Sequence, residues 1–320
     1  MSTEPSPFLR RPFSAWVFAL VLWLPGVAAG EESLVWLALS DRGGIYGEAA
    51  AVLAGEMARD ARRTELQTLP WQEFQPSPAR LPELIVTLGA GAFRGMVERT
   101  RKEPALAGVP ILAALLPQAS YEAVAPKPPF ATSAVFLDQP VERYLDLIRL
   151  AMPERRKIGI LFGSDSSTLK PALVKAAGIR GMQLVMASVE EESKDIYPAL
   201  RSVLAEADVL LALPDRQIFN AGTLQFILIA SYNQKIPVVA FSEAYVKAGA
   251  ALVLHTSPAQ AALQAASALR SFLLNRTLPP PRRSTTFSVA FNNPVARSLG
   301  LIPGEPDQLA ATLRRKEDAR

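Results

Sequence analysis

The chain has 320 residues, 49% of them hydrophobic and 20% charged, enough for two domains of ordinary size that each bury a core. Its net charge of +4 comes from 34 basic and 30 acidic side chains scattered along the sequence, without the basic stripe that would make nucleic acid a partner. With no cysteine and a single histidine, there is no disulfide, no thiolate metal site and no acylated cysteine, and neither a metal nor a cofactor is expected.

Residues 1–30 read as an export signal. Arg10 and Arg11 precede an uncharged stretch from Pro12 to Ala29 that falls short of the ~20 apolar residues of a comfortable membrane span. Val27-Ala28-Ala29 satisfies the small-residue cleavage rule. The Arg10-Arg11-Pro12-Phe13 run matches a twin-arginine signal poorly. The mature chain is expected in the periplasm, released by cleavage at or near Ala29.

Strands are expected at 33–39, 64–69, 84–88 and 110–116, with helices at 46–60 and 91–102 between them; this alternation predicts a parallel sheet with right-handed crossovers. Pro117, Pro126, Pro128 and Pro129 make 117–132 a surface loop. A short strand at 133–136 follows, and Asp138-Gln139-Pro140 punctuates the chain before a helix over 141–152. The plan then repeats. Strands at 158–162, 182–188, 208–213 and 236–241 alternate with helices at 168–177, 194–206 and 218–232, and Glu190-Glu191-Glu192 reads as a solvated turn. Three strands match across the repeat, each with a polar turn after it: 34–39 with 158–162, 83–88 with 207–213, and 109–116 with 236–241.

Further pieces follow the second copy: a strand at 252–255, a helix at 259–275 and a strand at 286–291. Neither copy accounts for them, so the fold expected is α/β with two discontinuous Rossmann-like lobes joined by a three-crossing hinge. Lobe 1 takes 31–138 plus 250–282 and lobe 2 takes 139–249 plus 283–304, with crossings near 138, 250 and 283. Residues 305–320 are polar and charged and are expected to fray.

In open α/β sheets ligands bind beyond the carboxyl ends of the strands, where helix N-termini present free N–H groups. That rule nominates six turns. In the first lobe they are Ser40, Asp41 and Tyr46; Gly89, Ala90 and Gly91; and Gln118 and Ser120. In the second they are Ser164, Asp165, Ser166 and Ser167; Asp215 and Arg216; and Ser242 and Glu243. Serine and aspartate at such places also cap helices. The N–H groups and hydroxyls suit a carboxylate and Asp41 or Asp215 an ammonium, so an amino acid or similar zwitterion fits best, with the Asp215 turn partly facing solvent. Gly89-Ala90-Gly91-Ala92-Phe93-Arg94-Gly95 carries its third glycine one position late for a dinucleotide fingerprint, and the next strand ends without a ribose-binding acid. His255 has no triad partner beside it, and nothing marks Asp41 and Asp215 as a glycosidase acid pair.

Leu213-Pro214-Asp215, the run Ile236-Pro237-Val238-Val239-Ala240-Phe241-Ser242, and Tyr245-Val246-Lys247-Ala248-Gly249-Ala250 carry a family resemblance. So does Asn292-Asn293-Pro294-Val295-Ala296-Arg297-Ser298-Leu299-Gly300-Leu301-Ile302-Pro303, which is similar to a pattern of Asn, Ala and Leu-Gly-Ile-x-Pro. With these residues the chain resembles the periplasmic substrate-binding proteins of ABC transporters, in the branch that includes binders of aromatic amino acids. The likeness covers 130–290 well and 31–120 in outline. It implies a type I periplasmic binding fold and a monomeric, non-enzymatic protein that captures a small ligand, an amino acid or similar small carboxylate, for an ABC permease of the inner membrane. Two departures lie near the implied cleft: Leu116-Pro117-Gln118 stands where the family often has Asp-Pro, and Thr132-Ser133-Ala134 where it often has Thr-Gly. Two alternatives stay open, a ligand-sensing module for a sensor kinase or outer-membrane receptor and a transferase-type enzyme on the same scaffold.

Overall fold

Unbroken apolar runs form strands covered on both faces. Leu34–Leu39, Leu84–Leu88 and Ile111–Leu116 are buried throughout, as are Ile158–Phe162 and Leu252–His255. The structure is a computed structural model that describes residues 1–3, 33–60, 64–125, 131–190, 196–302 and 304–319. The expected export signal from residue 4 onward, Glu191 and Glu192 of the acidic turn, and three of the four prolines of the 117–132 loop lie outside them.

The first sheet is built by β1 (Ser33–Leu39), α1 (Gly44–Met57), β2 (Thr64–Pro70), β3 (Leu84–Leu88), α2 (Ala90–Lys102), β4 (Ile111–Leu116), α3 (Gln118–Glu122) and β5 (Thr132–Phe136). After α4 (Val141–Ala151), the second sheet is built by β6 (Lys157–Phe162), α5 (Lys170–Ile179), β7 (Gln183–Ser188), α6 (Ile196–Leu204), β8 (Val209–Leu211), α7 (Leu224–Asn233), β9 (Val238–Ala240), α8 (Glu243–Ala248) and β10 (Leu252–His255). The chain closes with α9 (Pro258–Asn275), β11 (Arg282–Arg283), β12 (Ser288–Phe291), α10 (Asn293–Ser298) and α11 (Pro306–Asp318).

The two sheets have equivalent orders, β2-β1-β3-β4-β5-β11 and β7-β6-β8-β9-β10-β12. All neighbours are parallel except β10 and β12. The three strand pairs matched in the sequence hold equivalent places: β1 and β6, β3 and β8, β4 and β9. Helix α9 returns to the first sheet, packing Ala261, Ala265 and Leu269 among Val35, Leu53 and Leu112. Helices α4 and α11 cover the second, where Tyr144, Leu145 and Leu313 join Ile158 and Leu252.

The chain passes between the sheets three times, after β5, after β10 and after β11. Each passage starts from a strand carboxyl end, so the carboxyl ends of both sheets border the hinge. The second passage comes at 256–257 rather than near 250. The reason is that Leu252 and Val253 pair with Val239 and Ala240, and this fully buried run is worth more inside the second sheet than across a hinge.

Two further expectations are corrected. Residues 305–320 do not fray as a whole: α11 runs from Pro306 to Asp318 and buries Ala310 and Leu313, a narrow apolar face one turn apart that suffices once β12 and α4 lie beneath it. The 117–132 segment is not all loop, because Tyr121 anchors α3 by stacking on Phe93 with ring centroids 5.0 Å apart. Among the described residues, no helix is long and apolar enough to cross a membrane.

Candidate ligand-binding site

In the first lobe the register brings two nominated turns together. Leu39 of β1 lies opposite Leu88 of β3, so Ser40 and Gly89-Ala90-Gly91 emerge side by side. Ser40 N–H donates to Leu88 O at 3.0 Å, and Ser40 Oγ accepts from Ala92 N–H at 2.8 Å, at the start of α2. Gly89 has φ +97°, and a Cβ there would lie 2.5 Å from both Ser40 Oγ and Tyr46 Cε1; only glycine allows both the turn and this close approach. Ser40, Tyr46, Gly89, Ala90 and Gly91 therefore form one cluster, in which Ser40 already satisfies the Ala92 N–H. Asp41 stands outside it, exposed, accepting from Gly43 N–H at 3.3 Å.

The second lobe has a more closed arrangement. Asp215 is 3% exposed. Its Oδ2 accepts from Gly163 N–H (3.1 Å), Ser166 N–H (2.9 Å) and Ser166 Oγ–H (2.7 Å), while Oδ1 accepts from Gln217 N–H (3.0 Å). Here the sequence expectation of a partly solvent-facing Asp215 is corrected. The carboxylate faces inward because the β6–α5 turn folds over it, and Gly163 lacks the Cβ that would sit 2.6 Å from Oδ1. Asp165 and Arg216 make a two-pronged pair, Nε to Oδ2 at 2.8 Å and Nη2 to Oδ1 at 3.0 Å. Hydrogen bonding from Arg216 holds the Asp165 carboxyl below the usual aspartate range against the opposing effect of burial.

Ser164 and Ser167 line a cavity of about 490 Å³ with Phe162, Gly163, Ser188, Val189, Glu190 and Gln217. Gln217 braces it, accepting from Ser164 N–H at 3.0 Å and donating to Val189 O at 3.3 Å. After β9, Ser242 is half-buried and Glu243 exposed, the latter 3.7 Å from Lys247. Beside them Phe241 packs on Tyr245 at 4.8 Å and on Phe219 at 6.2 Å, an apolar wall that strand-end reasoning did not nominate. Burial raises the Tyr245 phenol to about 12 and lowers the His255 imidazolium, opposed by nearby Glu243, so His255 stays neutral at physiological pH.

The third turn of the first lobe carries two residues that sequence reasoning missed. Gln118 N–H donates to Asp138 Oδ2 at 2.6 Å, Gln118 Nε2 to Glu122 at 2.7 Å, and Arg283 Nε to Gln118 Oε1 at 3.3 Å. Burial pushes the Asp138 carboxyl above the usual aspartate range, and the Gln118 N–H and Arg283 pull it partly back. Ser120 is buried beneath. In the sequence Asp138 and Arg283 both stand at expected crossings between the lobes, near 138 and near 283, and outside the nominated turns. They meet because β11 pairs in parallel with β5, placing Arg283 opposite Phe136.

Behind this edge the three passages are tied together. Gln139 Nε2 donates to Thr256 Oγ1 at 2.8 Å, Thr256 Oγ1–H to Thr286 O at 3.1 Å, and Gln264 Nε2 to Ser284 Oγ at 2.7 Å. Arg143 Nη1 reaches Gln139 Oε1 and Ser284 O. Its Nε and Nη2 grip Glu317 of α11 at 2.6 and 2.7 Å.

A family model described as ABC transporter substrate binding protein matches residues 82–293. Among solved structures, a conserved domain protein of Vibrio cholerae O1 biovar El Tor is 19% identical with TM-score 0.59, covering 88% of this chain and 98% of its own. An ABC domain of Streptococcus pneumoniae in complex with L-Trp is 17% identical with TM-score 0.59, covering 86% and 96%. The ligand-free, open structure of a substrate-binding protein with adhesive properties from Clostridium difficile is 16% identical with TM-score 0.65, covering 85% and 96%. At these identities the likeness is one of fold. No curated protein matches the sequence. Two equivalent α/β lobes on a three-passage hinge, together with a family match that spans most of both, place this chain in the ABC transporter substrate-binding protein family.

Proposed function

We propose that the chain is an exported solute-binding protein that closes its lobes as a monomer on a small ligand, an amino acid or similar small carboxylate, and hands it to an ABC permease of the inner membrane. The observation that carries this reading is the hinge bordered by the carboxyl ends of both sheets, in a chain of this family. Ligands of open α/β sheets bind at such ends, and lobes joined by three passages of chain close by hinge motion. The S. pneumoniae relative in complex with L-Trp supports an amino acid. The protein acts as a binder and turns nothing over.

A thermal-shift panel of amino acids, small carboxylates, sugars and nucleosides tests it. A ligand at a hundred times its Kd stabilises by about 2.7 kcal/mol, which raises the melting temperature by about 5–10 °C. A panel with no shift at all would remove the solute-binding reading. Export is tested separately by N-terminal sequencing of periplasmic protein: the mature chain is expected to begin at or near Gly30, and a membrane-held chain still starting at Met1 overturns cleavage.

A further inference from the structure

Several arginines of this protein lay a two-pronged guanidinium on a carboxylate, Arg99 on Glu103 among them. Arg180 grips Asp146 at 3.1 and 2.7 Å, and Arg216 and Arg143 treat Asp165 and Glu317 in the same way. Arg283 departs from the pattern. It is half-buried at the carboxyl end of β11, near enough for its charge to act on Asp138, yet the two form no ion pair. Its hydrogen bond from Nε to Gln118 Oε1 leaves both Nη groups without a partner among the described residues. Asp138 is incomplete too, since among the described residues only Gln118 donates to it from elsewhere in the chain.

A guanidinium and a carboxylate that are both partly stripped of water and not paired with each other are unfavourable unless something else completes them. Glu122, held by Gln118 Nε2, sets two acids against one base here. The cluster thus suits a ligand that brings a forked anion for Arg283 and a cation for the acids. Other anion positions near the cleft are already filled from within: Ser40 occupies the Ala92 N–H, and Asp215 occupies those of Gly163 and Ser166.

We propose that Arg283, Asp138 and Gln118 form the subsite for the charged end of an amino acid. Arg283 takes the α-carboxylate through its two Nη groups, and Asp138 takes the α-ammonium. This rests on the reading that ligand binds between the lobes, and goes beyond it by naming the side chains and requiring a zwitterion. Asp138 and Ser284, which follows Arg283, both belong to passages between the lobes, so ligand held here engages the hinge directly.

Calorimetric titration of the mature chain with the twenty L-amino acids is the test, followed for the tightest binder by its decarboxylated amine and its N-acetyl derivative. Both derivatives are expected to bind at least tenfold more weakly. Arg283→Ala should lower affinity for the amino acid about ten- to a hundredfold and leave that for the amine nearly unchanged; Asp138→Asn should weaken the amino acid and spare the N-acetyl derivative. Arg283→Lys keeps the charge without the fork and should also lose affinity, which guards against a misfolded alanine variant. Unchanged amino-acid affinity in Arg283→Ala, or equal losses for amino acid and amine, overturns the subsite while leaving the solute-binding reading intact. Binding of a sugar or nucleoside with no amino acid does the same, and silence across all these compounds removes both.

Discussion

Replacing Asp215 with alanine is expected to destabilise the protein by about 3 kcal/mol or more, lowering its melting temperature by about 5–10 °C. Truncation strands three donors at once, the N–H groups of Ser166 and Gln217 and the hydroxyl of Ser166, and leaves Gly163 N–H with Ser166 Oγ alone at 3.1 Å. The two from Ser166 meet on Oδ2 in a site closed to solvent, where an unmatched donor loses its bond to water as well as its bond to protein. Asp215→Asn should fall between, because its amide oxygen can keep the Oδ2 partners while its NH₂ is turned toward Gln217 N–H, which can only donate. The β6–α5 turn carries Ser164 and Ser167, so ligand affinity should fall with stability in the alanine variant. A melting temperature within 1 °C of the parent would mean that water replaces the carboxylate, and the inward role of Asp215 would be wrong.

Glu317→Ala is expected to cost about 2–4 kcal/mol, although it lies in a terminal helix of polar composition. Its partner Arg143 is 5% exposed and cannot recover hydration where it sits, while Glu317 at 29% is partly wet, which brings the cost below that of a fully buried pair. Arg143 also stacks on Phe287, 4.1 Å from the ring centroid, with Arg314 on the same ring at 5.1 Å. Loss of Glu317 leaves two guanidiniums on one ring and takes from Arg143 its carboxylate partner. A double-mutant cycle with Arg143→Met should give a coupling of at least about 1 kcal/mol. Additive effects would show that α11 holds on through Ala310 and Leu313 alone. Since Arg143 also reaches Gln139 and Ser284, the same variant should loosen the hinge and weaken ligand binding.

The sequence by itself determined the strands and their repetition. A run such as Ile158–Phe162 is apolar on both faces and can be covered only inside a parallel sheet, and the polar turn after it follows from the same local pattern. Where these turns lie along the chain was therefore readable; the meeting of Ser40 with Gly89 was not, because it depends on β1 and β3 being neighbours in the sheet although β2 separates them in the chain. Only tertiary structure decided which way the side chains in those turns face. Asp215 reads as one more exposed strand-end acid until a turn from another strand closes over it with two N–H groups and a hydroxyl. Arg283 and Asp138 are far apart in sequence and meet only because a two-residue strand, β11, pairs with β5. The placement of β10 in the second sheet and the docking of α11 are likewise matters of which buried surface is nearest. Periodicity records that a segment must bury a face; it carries no information about the partner, which is set by the packing of the whole chain.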